Sequence, residues 1–128
     1  MSTPLRQQLG DSGEQSAETF LLDRGLKLVM RNYRCRSGEI DLVMLDPNPT
    51  DAEVLVFTEV RLRGSGAHAD SLDSVDQTKQ QRLISAARLF LMEHPRFDTH
   101  PCRFDVVGLA PQDGRLVWVP DAFEIDSD

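Results

Sequence analysis

Apolar residues recur along the chain with two different periods, and the changes from one to the other delimit the elements. Ser12-Gly13-Glu14-Gln15 has the Ser-x-x-Gln form of a capping box, which predicts a helix start near Gly13. Ala17, Phe20 and Leu21 then share one helical face, and Gly25 supplies the stop. Leu26 to Met30 reads as a first strand, Glu39 to Leu45 as a second and Val54 to Leu62 as a third. Asp46-Pro47-Asn48-Pro49 closes the second strand with strong turn chemistry. Gly64-Ser65-Gly66 opens a polar loop that runs to about Asp73. Ser74-Val75-Asp76-Gln77 is a second capping box, and the helix after it carries Leu83, Ile84, Ala87, Phe90 and Leu91 on one stripe until Pro95. Cys102 to Leu109 and Arg115 to Val119 read as two more strands around a turn at Gln112-Asp113-Gly114. The order α-β-β-β-α-β-β predicts an α/β fold, a mixed sheet with helices packed on it.

Composition narrows the setting. With 128 residues, 40% of them hydrophobic, the chain fits one domain, 1–128, with an ordered core of about 10–123 and short tails. No apolar run approaches the ~20 residues that span a bilayer. Met1 to Gly10 lacks the basic-then-apolar pattern of a secretory signal, so a cytoplasmic protein without a membrane partner is expected. Cys35 and Cys102 have no zinc-type spacing and His68, His94 and His100 are scattered, which predicts two free, partly buried thiols. The net charge of −7 weakens global steering toward a polyanion. Distribution matters more than the sum. Much of the acid lies from Asp46 to Glu53 and from Asp121 to Asp128, while Arg31, Arg34 and Arg36 gather around Tyr33, and Arg61 and Arg63 form a second basic point.

Two strands carry the candidate chemistry. Val54, Leu55, Val56 and Phe57 are apolar on both faces, as in a strand at the middle of a sheet, and Thr58, Glu59, Arg61 and Arg63 follow abruptly. Alternation puts Glu59 and Arg61 on one face about 7 Å apart. A carboxylate there needs a cation, which Arg61 or a metal would supply. Asp41 stands inside the apolar second strand, within Gly38-Glu39-Ile40-Asp41-Leu42-Val43. A hairpin across Asp46 to Glu53 would bring Asp41 and Glu59 together, and a divalent cation would relieve their repulsion. Few, hard oxygen ligands suit Mg2+ or Mn2+, which can polarise a phosphate and acidify an attacking water.

These runs, with Phe57-Thr58-Glu59-Val60-Arg61-Leu62-Arg63, Lys79-Gln80-Gln81-Arg82-Leu83 and Cys102-Arg103-Phe104-Asp105-Val106-Val107, resemble the YraN family of bacterial predicted endonucleases. Gly10-Asp11 with Glu14 and Ala17, and the late Asp121-Ala122-Phe123, extend the resemblance over about residues 10 to 123. That family in turn resembles the PD-(D/E)xK restriction-endonuclease-like superfamily. The resemblance implies a restriction-endonuclease-like α-β-β-β-α-β core with one extra C-terminal strand, and a divalent-metal-dependent endonuclease hydrolysing phosphodiester bonds in DNA or RNA, DNA before RNA. It implies Asp41 as the metal-binding aspartate, Glu59 as the acidic residue of the (D/E)xK element and Glu14 as an additional acidic ligand. Arg61 stands where the superfamily has lysine. It keeps its charge and clamps phosphate, but it cannot act as a base.

Other residues have two readings each. Glu14 is otherwise a solvated first-turn glutamate. Gln80 falls in the middle of the second helix's apolar stripe and Lys79 at its edge, where Lys79 would partly replace the missing lysine; either would otherwise bond to backbone near the helix start. Glu39 shares a face with Asp41 or pairs with Arg36 at the rim, and Arg103 with Asp105 reads as a structural pair. The Gly64 to Asp73 loop would fold over a substrate. Because one domain exposes one site, cutting both strands would call for a homodimer. The rival readings are a non-catalytic nucleic-acid-binding or adaptor domain, favoured by Arg61 and the acidic net charge, and a protein-interaction module of a DNA-processing complex.

Overall fold

Leu55, Val56 and Phe57 are no more than 1% exposed, so successive side chains of one strand are buried on both of its faces. The computed structural model shows what covers them. It describes residues 5–47, 52–62, 76–110 and 114–124, with side chains from Gly13 onward. Strands β1 (Lys27–Cys35), β2 (Gly38–Asp46), β3 (Val54–Leu62), β4 (Cys102–Leu109) and β5 (Leu116–Phe123) form one sheet in the order β1-β2-β3-β4-β5. Only the β3–β4 pairing is parallel, and helix α2 (Gln77–Glu93) is the crossover between them. Helix α1 (Leu5–Asp23) covers the other face. Ala17 and Leu21 of α1 pack with Leu42, Met44, Val56 and Val107, whereas Leu83, Ala87 and Phe90 of α2 pack with Val43, Leu55, Phe57 and Val106. The α/β order read from the sequence is the observed one, including the extra C-terminal strand.

Several boundaries differ, each for a physical reason. The first helix begins at Leu5, not near Gly13, and runs through the predicted capping box. Gly13 serves close approach instead: a Cβ there would lie 3.2 Å from Leu109 Cδ2 at the end of β4. The stop at Gly25 is as expected. Gly25 takes φ +93, with its N–H bonded to Leu22 O and that of Leu26 to Leu21 O, the two bonds of a Schellman cap. β1 continues five residues past Met30, through Arg31 to Cys35, because it is an edge strand whose polar residues face solvent and guard the edge. β5, the other edge, likewise continues past Val119 through Pro120 and Asp121, the latter at φ +53. The N-cap of α2 is Asp76, whose carboxylate accepts from Lys79 N at 2.8 Å. The predicted capping residue Ser74, the Gly64 to Asp73 loop, Arg63 and the tail beyond Glu124 lie outside the described residues.

One irregularity positions the site. Leu42 joins the cluster under α1, yet Ile40, two residues earlier, joins the cluster under α2. On the neighbouring strand Arg31 reaches Glu18 of α1, whereas Tyr33 sets its ring edge-on to Phe90 of α2. A regular strand would keep each such pair on one face. The alternation breaks between the paired positions Arg31↔Leu42 and Tyr33↔Ile40, where Asn32 adopts φ +52 and Asp41 is its neighbour across the ladder. Asparagine tolerates this left-handed conformation better than most residues.

Candidate metal centre and active site

The β2–β3 ladder ends at Leu42↔Thr58. One step beyond, the Asp41 carboxylate replaces the backbone, its Oδ2 accepting from Val60 N at 2.8 Å. Burial and then the nearby Glu59 push the Asp41 carboxyl up to about 8; the Val60 N–H opposes this and Glu14 and Glu39 add to it. Glu14 from α1 and Glu39 and Asp41 from β2 place carboxylate oxygens within 4.8 Å of one another. With its amide nitrogen turned toward the acids, Asn32 donates to Glu14 Oε1 at 2.8 Å and to Glu39 Oε1 at 3.2 Å. The break in alternation falls at Asn32 of β1 and Asp41 of β2, the point that Glu14 reaches from α1.

Glu59 continues the face of Leu55 and Phe57 toward α2 and is buried. There Lys79 Nζ meets its Oε1 at 2.9 Å. The N-cap explains the reach, since Asp76 fixes the first turn of α2 beside the end of β3. Asp41, Glu39, Glu59, Lys79 and Arg82 line a common cleft of about 190 Å³. Glu14 and Asn32 line a broader groove of about 700 Å³ on the α1 side, so the acid group stands between the two.

The model of the uncharacterised protein family UPF0102 matches residues 13–109. The chain belongs to that family. It is 51% identical to the UPF0102 protein of Stutzerimonas stutzeri over 92% of this chain and 96% of that one. It is 46% identical to the UPF0102 proteins of Alcanivorax borkumensis and Nitrosococcus oceani, in each case over 92% of this chain and 93% of the relative. The span matched by the UPF0102 model contains Glu14, Glu39, Asp41, Glu59, Arg61, Lys79 and Gln80 and ends with β4, so β5 lies outside it.

The remaining sequence-derived residues of this UPF0102 chain fall as follows. Arg61 is partly buried near the end of β3, makes no ion pair with Glu59, and its Nη1 is buried with no hydrogen-bond partner among the described residues. Lys79, on the helix, is the cation that Glu59 meets. Gln80 is partly buried in the first turn of α2, where its N–H bonds to Asp76 O. Of the two readings of Glu39 the structure shows the one beside Asp41: its carboxylate joins the acid group, and the arginine that approaches it, at 3.4 Å, is Arg34 and not Arg36. Glu59, expected beside Asp41 as a ligand, lines the same cleft but is not within that close group. The sequence signal for Asn32 was weak, a polar residue inside a basic run; only its φ and its neighbours reveal its role.

Other expectations concern the scaffold. Arg103 and Asp105 are a structural pair, with Nε to Oδ1 at 3.0 Å and Nη2 to Oδ2 at 3.2 Å. Arg103 also binds Asp46, while Trp118 Nε1 and Asp121 N donate to Asp105. Cys35 and Cys102 are free and partly buried. No described helix is long and apolar enough to cross a membrane.

Proposed function

We propose that the protein is a divalent-metal-dependent endonuclease that hydrolyses phosphodiester bonds in nucleic acid, DNA before RNA, with Mg2+ or Mn2+ at the Glu14, Glu39 and Asp41 carboxylates. The observation that carries this reading is the acid group itself. Three carboxylates drawn within 4.8 Å, one of them pushed up to about 8, repel one another unless a cation or protons intervene. Their donor atoms are hard oxygens from two elements, which fit a small divalent ion. When bound, such an ion polarises a phosphate oxygen and lowers the pKa of a neighbouring water.

The chain's own residues supply the rest of the proposed chemistry. The Val60 N–H fixes the direction of Asp41, and Asn32 orients Glu14 and Glu39. Arg61 is permanently charged and cannot take up a proton, so its role is to stabilise phosphate charge. Proton handling falls to the Glu59–Lys79 pair, which supplies from α2 the amine that β3 lacks. Gln80, beside Lys79 in the first turn, orients water or the substrate backbone. Cutting both strands of a duplex calls for two copies of the chain.

Calorimetry with Mg2+ and Mn2+, run beside cleavage of labelled branched, single-stranded and duplex substrates, tests this. Wild type should bind the ions weakly and saturably, and Asp41→Asn should not. Glu59→Gln should lose cleavage and keep nucleic-acid binding. Equal metal binding by wild type and Asp41→Asn sinks the assignment. The presence of Arg61 at the lysine position favours one rival, a nucleic-acid-binding domain without turnover; binding without cleavage on every substrate would select it.

A further inference from the structure

Lys27, Arg31, Arg34, Lys79 and Arg103 each face an acidic partner. Arg36, Arg82 and Arg88 form no ion pair among the described residues, and all three are exposed. They are also neighbours. Arg82 lines the acid cleft and packs against the β1–β2 turn, where a Cβ on Gly38 would lie 3.4 Å from Arg82 Cβ. On the far side of that turn a second cleft of about 460 Å³ is lined by Arg36 and Ser37 and, from α2, by Ser85, Arg88, Leu89 and Met92. Arg82, Ser85 and Arg88 follow one another at three-residue spacing, so each is the next one's neighbour and the row winds gradually around the helix from one cleft to the other. The two clefts therefore share α2 and the β1–β2 turn, and a row of arginines without an ion-pair partner among the described residues runs from one to the other.

We infer that this row is the track along which the sugar-phosphate backbone of one nucleic-acid strand leaves the acid site. The inference rests on the nuclease reading and adds where the uncut arm of the substrate lies. A chain of net charge −7 with an acid cluster repels a polyanion, so a strand must be held by local cations that no described carboxylate neutralises. Arg82 and Arg88 are about 9 Å apart along the helix, between two and three steps of a strand rising about 3.4 Å per nucleotide. The Ser37 and Ser85 hydroxyls suit phosphate oxygens. Leu89 and the 76% exposed Met92 offer an apolar floor to sugars. Continuity with the acid cleft favours nucleic acid over an anionic lipid surface, for which a narrow row with one strongly exposed apolar side chain is a poor anchor.

Fluorescence anisotropy of a labelled 15-nucleotide single strand, in EDTA and across about 25–200 mM salt, tests the track without cleavage. The Arg36→Gln/Arg88→Gln double variant should bind about tenfold more weakly near 100 mM salt, with a log–log salt slope shallower by about 1.4, or 0.7 per lost contact. Arg24→Gln, on the α1 side, should bind like wild type. Wild-type binding with no loss in the double variant overturns the track while leaving the nuclease reading standing, as does an equal loss in Arg24→Gln. No binding or cleavage of any nucleic acid by wild type overturns both. Binding of wild type to phosphatidylserine vesicles that the double variant loses, with oligonucleotide binding unchanged, also overturns the track.

Discussion

Lys79 Nζ lies 2.9 Å from Glu59 Oε1, so the buried carboxylate at the end of β3 takes its cation from helix α2 and not from Arg61, two residues along its own strand. Lys79 is half exposed and Glu59 is not. Losing the lysine therefore matters less as a lost surface ion pair than as a stranded buried charge. Lys79→Ala should lower stability by about 1–3 kcal/mol. In a Glu59→Gln background the same change should cost far less. Urea denaturation of the four proteins of this cycle measures the coupling, and additive losses would remove the pair from the account.

Arg61 should behave differently. It neutralises no described carboxylate, so Arg61→Ala should shift stability by less than about 1 kcal/mol. If Arg61 stabilises phosphate charge in the transition state, the same variant should lower turnover by about 10²-fold with substrate binding less affected, and Arg61→Lys should recover much of the rate. A large fall in melting temperature with no rate effect would instead make Arg61 a structural residue.

The ligand set separates the structure from the sequence reading. Glu39→Gln should weaken Mg2+ or Mn2+ binding at least tenfold in calorimetry, because its carboxylate belongs to the close group with Glu14 and Asp41. Glu18→Gln, four residues after Glu14 on α1 and bound to Arg31, should leave metal binding unchanged. Equal effects of the two substitutions would mean that only general negative charge is being measured.

Asp41 predicts how stability depends on pH in metal-free buffer. Its carboxyl titrates near 3.8 in the unfolded chain and at about 8 in the fold. Below about pH 4 both states are protonated there. As pH rises from about 4 to 8 the unfolded chain releases this proton and the folded chain keeps it, so folding stability falls, then levels above 8. At about 1.4 kcal/mol per pH unit the full loss should be at most about 6 kcal/mol. Urea midpoints at pH 5, 6, 7 and 8 in EDTA should therefore decline for wild type and decline less for Asp41→Asn. Saturating Mg2+ should flatten the wild-type profile by favouring the carboxylate. An identical slope in Asp41→Asn would place the effect elsewhere.

Asp105 is a matter of the scaffold alone. It is 1% exposed and accepts from Arg103, Trp118 Nε1 and Asp121 N, tying the left-handed residue of edge strand β5 to β4. Asp105→Ala leaves Arg103, the half-buried Trp118 indole and the Asp121 N–H each short of a partner and should cost about 3–5 kcal/mol. Metal affinity at 10 °C in the remaining folded protein should be unchanged, since none of the acid group touches this network.

The sequence by itself determined the element order, the core of each element and the two strands that carry Asp41 and Glu59. Apolar periodicity reports burial, and burial follows from each segment's own pattern. It also identified Arg103 and Asp105 as partners, because residues two apart on a strand share a face. It misjudged α1, where Gly13 marks a close approach rather than a helix start, and stopped β1 too early, because edge strands carry polar residues that look like loop. Only the tertiary structure decided which side chains meet. The break in alternation at Asn32 and Asp41 joins Glu39 and Glu14 to Asp41, and the packing of α2 gives Lys79 to Glu59. Such meetings depend on register, on one left-handed residue and on the placement of a helix start across a sheet. A pattern that encodes which residues are buried contains no record of which neighbours they are buried against.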